Sequence, residues 1–182
     1  MVGKKAKRPA PAEQTAQEEL RIELRTEYRR ILEAYTADMV AMCELARCAM
    51  LHASRAIMSQ DLEAAENAMT ESDKVAEIHQ RCEERALLLL ARQSPVASEL
   101  RQVLAYIHME RDITRMGNLA KLIAKTARQH HPNPAFPDEI LATVGEMADA
   151  CDHMASAAEH LIAEPDADAA ASLASQDEAV DT

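Results

Sequence analysis

A chain of 182 residues is long enough for one ordinary domain and part of a second, and a hydrophobic content of 48% supports a packed core. Aromatic residues make up 2% (Tyr28, Tyr35, Tyr106 and Phe136), Trp is absent, and the three glycines, Gly3, Gly117 and Gly145, are scattered, which excludes turn-rich sheet proteins and the clustered-glycine loops that cradle phosphates or dinucleotides. The formal net charge of -11, from 20 basic and 31 acidic side chains, argues against nucleic acid as a partner, and the remaining composition, rich in Ala, Leu, Glu, Arg and Met, is that of an all-α protein.

The chain opens with Lys4, Lys5, Lys7 and Arg8, followed by Pro9 and Pro11, so residues 1–14 read as a disordered basic tail. No apolar stretch follows the basic residues, as a signal peptide would require, and the longest apolar run, Ala86 to Ala91, is far short of a membrane span. A cytoplasmic location is expected. From about Gln17 the pattern becomes helical: Leu24, Tyr28, Ile31, Tyr35, Met39 and Met42 recur at steps of 4, 3, 4, 4 and 3, and the stripe continues through Leu45, Met50 and Ile57. A helix of about 40 residues would be roughly 60 Å long. Ser59-Gln60-Asp61 interrupts it with residues that favour a turn and a helix cap.

A second helix is expected from Leu62 to about Arg92, with Leu62, Ala65, Met69, Val75, Ile78, Cys82 and Leu89 on its buried side. Gln93-Ser94-Pro95 ends it, because proline removes a donor and disfavours helix in the residue before it. The third helix starts near Val96 and carries Leu100, Val103, Leu104, Ile107, Ile113, Met116, Leu119 and Ile123. Three prolines between Pro132 and Pro137 make the clearest boundary in the chain. Pro137-Asp138-Glu139 then opens a fourth helix, with acids near the positive end of its dipole and a stripe of Ile140, Val144, Met147, Cys151, Met154 and Leu161. Glu164-Pro165-Asp166 is a turn, and a fifth helical stretch begins at Ala167.

These elements predict an antiparallel three-helix bundle over 15–131, a Pro-rich joint over 132–137 and a two-helix unit over 138–182. Asp61-Leu62-Glu63-Ala64-Ala65 echoes Asp166-Ala167-Asp168-Ala169-Ala170, as a duplicated three-helix unit with an incomplete second copy would. Two helices alone bury little. The apolar seam of the second unit is therefore expected either to lack its partner through truncation, the favoured reading, or to be covered by the first bundle or another subunit.

Chemistry-bearing residues are sparse. Cys43, Cys48, Cys82 and Cys151 show no Cys-x-x-Cys spacing and read as reduced, small core residues. His108 with Asp112, and Asp149 with His153, share helix faces at i, i+4, but neither pair has further ligands at recognisable spacing. Most of the ten methionines fall on apolar stripes. Gly117 inside the third helix costs about 1 kcal/mol relative to Ala, which is repaid if a neighbouring helix or a partner approaches closely there. Arg115 is expected in a salt-bridge network, with Asp112 or with an acid of a neighbouring helix. No arrangement of nucleophile, base and acid points to catalysis, so a non-enzyme is expected.

Two segments carry a resemblance. Residues 91–101 read Ala-Arg-Gln-Ser-Pro-Val-Ala-Ser-Glu-Leu-Arg, and residues 112–124 read Asp-Ile-Thr-Arg-Met-Gly-Asn-Leu-Ala-Lys-Leu-Ile-Ala. Together they resemble the PhoU family, regulators of phosphate-specific transport, in which a Gln-Pro-x-Ala-x-Asp-Leu-Arg turn precedes a helix carrying Asp-Leu-Glu-Arg-Ile-Gly-Asp. The resemblance implies two three-helix repeats, of which the second is partial here, and often a homodimer. It also implies a negative regulator of phosphate uptake and of the phosphate-starvation response. Such a regulator is a cytoplasmic adaptor at the inner face of the membrane, between the phosphate ABC transporter, through its ATPase subunit, and a membrane sensor histidine kinase.

Asp112, Arg115 and Gly117 match the family motif and are the expected partner-binding residues. The family holds metal on acid-x-x-x-acid pairs, and the ions to consider are Fe, Zn or Mg. In this chain those two acids fall on Thr114 and Asn118, which bring no charge. The acids left as metal-ligand candidates are Glu71, Asp73, Glu77, Asp112, Asp177 and Asp181. A metal-carboxylate bundle for storage or oxidation, and a helical scaffold with no link to phosphate, are the alternatives. The first needs Glu-x-x-His motifs, which are absent.

Overall fold

The computed structural model describes residues 11–93 and 97–180. They form five helices: α1 (Pro11–Ser59), α2 (Leu62–Gln93), α3 (Ala97–His130), α4 (Asp138–Ala163) and α5 (Ala167–Val180). No strand occurs among the described residues. The basic residues before Pro9 and the Ser94-Pro95-Val96 turn lie outside them. α1 begins at Pro11, ahead of the boundary expected near residue 15. At 1.5 Å per residue its 49 residues extend about 73 Å.

α1 is the spine. It packs against α2, α3 and α4, α2 packs against α3, and α5 rests on α4 alone among the described residues. α4 meets the first bundle through Ala155 and Ile162 rather than through the expected stripe, of which Ile140, Met147 and Cys151 stay exposed. Asp61 caps α2 by accepting a hydrogen bond from the Ala64 N–H at 3.0 Å, and Arg55 pairs with the same carboxylate at 2.7 Å. Asp166 caps α5 in the same way through the Ala169 N–H. Pro137 stands one residue before α4 in an extended conformation, rather than inside the first turn.

The core has two parts. One is built of larger residues: Tyr35, Met39 and Met42 of α1, Val75, Ile78, Cys82 and Leu89 of α2, and Val103, Tyr106 and Ile113 of α3, joined by Ile162 of α4. The other is a seam of alanines, Ala49, Ala53 and Ala56 against Ala64, Ala65, Ala68, Ala120, Ala124 and Ala127, where small side chains let three helices run close together. On α1 the expected stripe holds from Tyr28 to Met42, while Leu24 is 42% exposed because burial begins only at Tyr28. Leu62, Leu100, Leu104 and Leu119 are also exposed. On α3 the buried positions are Val103, Tyr106, Glu110, Ile113, Gly117, Ala120, Ala124 and Ala127, an alternation of three- and four-residue steps.

Ion pairs set the register between helices. Asp38 of α1 meets both Arg81 and Arg85 of α2, and His52 lies 2.9 Å from Glu71. Asp73 and Glu66 of α2 pair with Lys121 and Arg128 of α3. Arg47 of α1 clasps Asp152 of α4 at 2.6 Å through Nε, and the Cys43 thiol donates to the Ala155 carbonyl at 3.6 Å, so two polar contacts tie α1 to α4.

Gly117 is buried against Val75 of α2. A Cβ added there would stand 3.4–3.6 Å from three Val75 side-chain atoms, which is ordinary contact. Gly117→Ala should therefore raise stability by up to about 1 kcal/mol through helix propensity. Gly117→Leu should lower it by about 1–3 kcal/mol by forcing α2 and α3 apart. Urea unfolding of both variants checks this, and an equal loss in the two would show that the gap cannot take even one carbon.

Candidate functional site

A charged residue occupies the buried stripe of α3. Glu110 is 2% exposed and sits one turn from both Tyr106 and Ile113. Its Oε2 accepts a hydrogen bond of 2.7 Å from the Tyr35 hydroxyl of α1, and its Oε1 lies 2.7 Å from Nδ1 of His79 of α2. One carboxylate thus joins α1, α2 and α3. The Tyr35 and Tyr106 rings meet edge to face, 5.2 Å between centroids at 88°, and the Tyr106 hydroxyl shares a 2.9 Å hydrogen bond with Thr36. This wall fixes the Tyr35 ring.

On the outer side, His79 is half-buried and its Nε2 faces the exposed Glu83, one turn along α2, at 3.7 Å. Among the described residues, His79, Glu83 and Glu110 form the one group of three potential metal ligands whose donor atoms converge, all within 4.8 Å of one another. Burial pushes the Glu110 carboxyl above the usual carboxylate range, opposed by the Tyr35 hydrogen bond and the positive charge His79 can carry. The same burial, with the Glu110 hydrogen bond, raises the Tyr35 phenol. It also raises the Cys82 thiol to about 12, and burial of Cys43 takes that thiol to about 11.

The sequence-derived candidates fall elsewhere. Glu71 faces His52, Asp73 is taken by Lys121, and Glu77 is exposed. Asp112 is exposed with Arg111 at 3.6 Å. Asp177 belongs to α5, and Asp181 lies outside the described residues. The structure does not gather Glu71, Asp73, Glu77 and Asp112 into one three-ligand group. Thr114, in the place of a family acid, donates its hydroxyl to the Glu110 carbonyl at 2.8 Å and stays within its own helix. The family's acid-pair metal site therefore does not fit these residues.

Arg115 is exposed and forms no ion pair among the described residues, contrary to the expected salt-bridge network. His108, Asp149 and His153 are exposed, outside the converging group. Of the cysteines, Cys43 and Cys82 are core residues, Cys48 is half-buried and Cys151 is exposed. Cys151 helps line a groove of about 750 Å³ between α1, α3, α4 and α5, walled by Met50, Met116, Leu119, Met154 and Leu173 and edged by Asp112 and the Arg47–Asp152 pair.

His79, Glu83 and Glu110 escaped the sequence reading, which weighed acid pairs and the i, i+4 pairs of His108 with Asp112 and Asp149 with His153 but passed over His79 with Glu83. Two signals were present: a His-x-x-x-Glu face on α2, and an acid at a core position of α3.

The described residues form an all-helical protein, and comparison with known sequences gives its class. The PhoU domain family matches residues 39–127. A Mycobacterium tuberculosis protein named phosphate-specific transport system accessory protein PhoU homolog 2 is 37% identical over 158 residues, covering 87% of this chain and 74% of that protein. The Mycobacterium leprae protein named PhoU homolog 1 is 36% identical over 158 residues, covering 87% of this chain and 71% of its own length. A Rhizobium meliloti PhoU homolog is 28% identical over 94 residues, 52% of this chain and 40% of that protein. No solved structure matches. The chain belongs to the PhoU family.

The Tyr35 hydrogen bond is worth more than an ordinary one because its acceptor is a buried acid. Tyr35→Phe should destabilise the protein by about 1.5–3 kcal/mol, read as a fall in the denaturant midpoint with unchanged slope. A loss below about 0.5 kcal/mol, the size of an ordinary surface change, would mean that water replaces the hydroxyl.

Proposed function

We propose that this chain is an accessory and regulatory protein of phosphate transport that restrains phosphate uptake and the phosphate-starvation response when phosphate is plentiful. The observation that carries the reading is the 37% identity, over 87% of the chain, to a protein named for that accessory role. No helix among the described residues is long and apolar enough to cross a membrane, which is compatible with a place at the inner face of the membrane beside the transporter. The role is one of binding rather than catalysis. Its partners in this reading are the ATPase subunit of the phosphate ABC transporter and a membrane sensor histidine kinase, with the chain acting as a homodimer. Residues 15–131 are one repeat and 138–182 the beginning of a second.

Asp112 and Arg115 are the groups we assign to partner contact. Both are exposed on α3, and the Arg115 guanidinium has no internal ion pair among the described residues, so it is available to an acidic group of a partner. Gly117 is buried against Val75 behind that face, so its part in it is through the packing of α2 on α3 rather than through direct contact.

The test is affinity purification of the tagged chain from phosphate-replete cells, with mass spectrometry of the co-purifying proteins. The transporter ATPase or a sensor kinase should be enriched with the wild type and fall at least tenfold with Arg115→Ala, whose circular dichroism and melting temperature should match the wild type. Neither partner with folded, abundant wild-type bait would overturn the adaptor reading. Equal recovery with Arg115→Ala would move the contact elsewhere.

A further inference from the structure

We propose that His79, Glu83 and Glu110 form a binding site for a single divalent first-row transition metal ion, such as Zn²⁺ or Mn²⁺, on the open face between α2 and α3. The site is separate from the acid pairs of the family motif, whose positions hold Thr114 and Asn118.

Three observations carry it. The first is charge. Glu110 is almost fully buried, and a carboxyl group there is compensated either by holding a proton or by a nearby positive charge. The arginines nearest along α2, Arg81 and Arg85, are spent on Asp38 of α1. No Lys or Arg among the described residues comes within ion-pair distance of Glu83 or Glu110, and His79 is the only basic partner of either. A dication bound to neutral imidazole neutralises both carboxylates at once.

The second is geometry. Nδ1 of His79 and Oε1 of Glu110 are 2.7 Å apart. Adjacent ligand atoms stand about 3 Å apart around an octahedral ion and about 3.4 Å apart around a tetrahedral one, so the two side chains must part by roughly 0.3–0.7 Å to admit it. Glu83 is exposed and faces the other ring nitrogen, Nε2, at 3.7 Å, so it must swing across the ring edge to join Glu110 on an ion held by Nδ1. Three protein ligands with one face open to water is the arrangement of an accessible rather than a closed structural site.

The third is support behind the ligands. The Glu110 oxygen that does not face His79 is held by the Tyr35 hydroxyl, and the Tyr35 ring is set by Tyr106. An orienting hydrogen bond on a ligating carboxylate is what a preorganised site requires. One imidazole with two carboxylates suits Zn²⁺, Mn²⁺ or Fe²⁺, whereas Mg²⁺ and Ca²⁺ prefer all-oxygen sets and Cu⁺ prefers sulfur.

The experiment is a titration of the metal-stripped full chain with Zn²⁺, read by competition with a chromophoric chelator and repeated with Mn²⁺ by electron paramagnetic resonance. The wild type should bind one ion per chain. Glu83→Gln changes only an exposed group and leaves the fold intact, and it should weaken binding at least tenfold. His79→Gln should abolish it, Tyr35→Phe should weaken it about 10- to 100-fold, and Asp112→Asn should leave it unchanged. No binding to folded wild type would overturn the proposal, as would equal binding by wild type, Glu83→Gln and His79→Gln. Loss with Asp112→Asn alone would place the ion on the family motif instead.

Discussion

A single carboxylate ties the three long helices together. Glu110 stands at a position of α3 where the repeat calls for an apolar residue, and it is tolerated because α1 supplies a hydroxyl and α2 an imidazole to its two oxygens. The alanine seam lies one or more turns further along, and Val75 of α2 packs on Gly117 of α3 next to it. Helix positions are therefore set at one end by a polar clamp and at the other by closeness. A buried polar cluster of this kind fixes register, since sliding one helix by a turn would leave a charge unpaired in the core.

The second constraint is the length of α1. It runs past the ends of its neighbours and presents three faces, to α2, α3 and α4. α4 is held to it by Ala155 and Ile162 and by the Arg47–Asp152 pair. Its other apolar face, with Cys151 and Met154, looks into the groove, and Met147 is 56% exposed. α5 adds one wall and touches only α4. The core built by α1, α2 and α3 takes in Ile162 of α4, so α4 joins it along one face and leaves the other to the groove.

Much of this was legible in the sequence. Helix ends were marked by local chemistry that acts over a few residues: Asp61, the prolines between Pro132 and Pro137, and the Glu164-Pro165-Asp166 turn. Faces were harder. Periodicity weighted by large side chains put Leu100, Leu104 and Leu119 inside, yet the helices meet along alanines, whose small size allows the contact but gives a weak pattern. On α4 two apolar faces were present, and only packing could decide which one α1 takes. The cluster of His79, Glu83 and Glu110 depends on how α2 and α3 align, which no single-helix spacing encodes. Family membership was legible because the motif around Asp112, Arg115 and Gly117 is local, although Thr114 and Asn118 already signalled a departure from the family's metal ligands.

The fold separates an inner clamp, which sets the helices, from the outer face of α3, where Asp112 and Arg115 stand free of the core. An accessory protein of transport needs that division, since its surface can engage partners without disturbing what holds it together. The most direct test is the rate of radiolabelled phosphate uptake in phosphate-replete cells lacking the gene, with and without the chain restored at its native level. The account predicts faster, unrestrained uptake in the deletion and a return to the wild-type rate on restoration. Identical uptake in the three strains would contradict it.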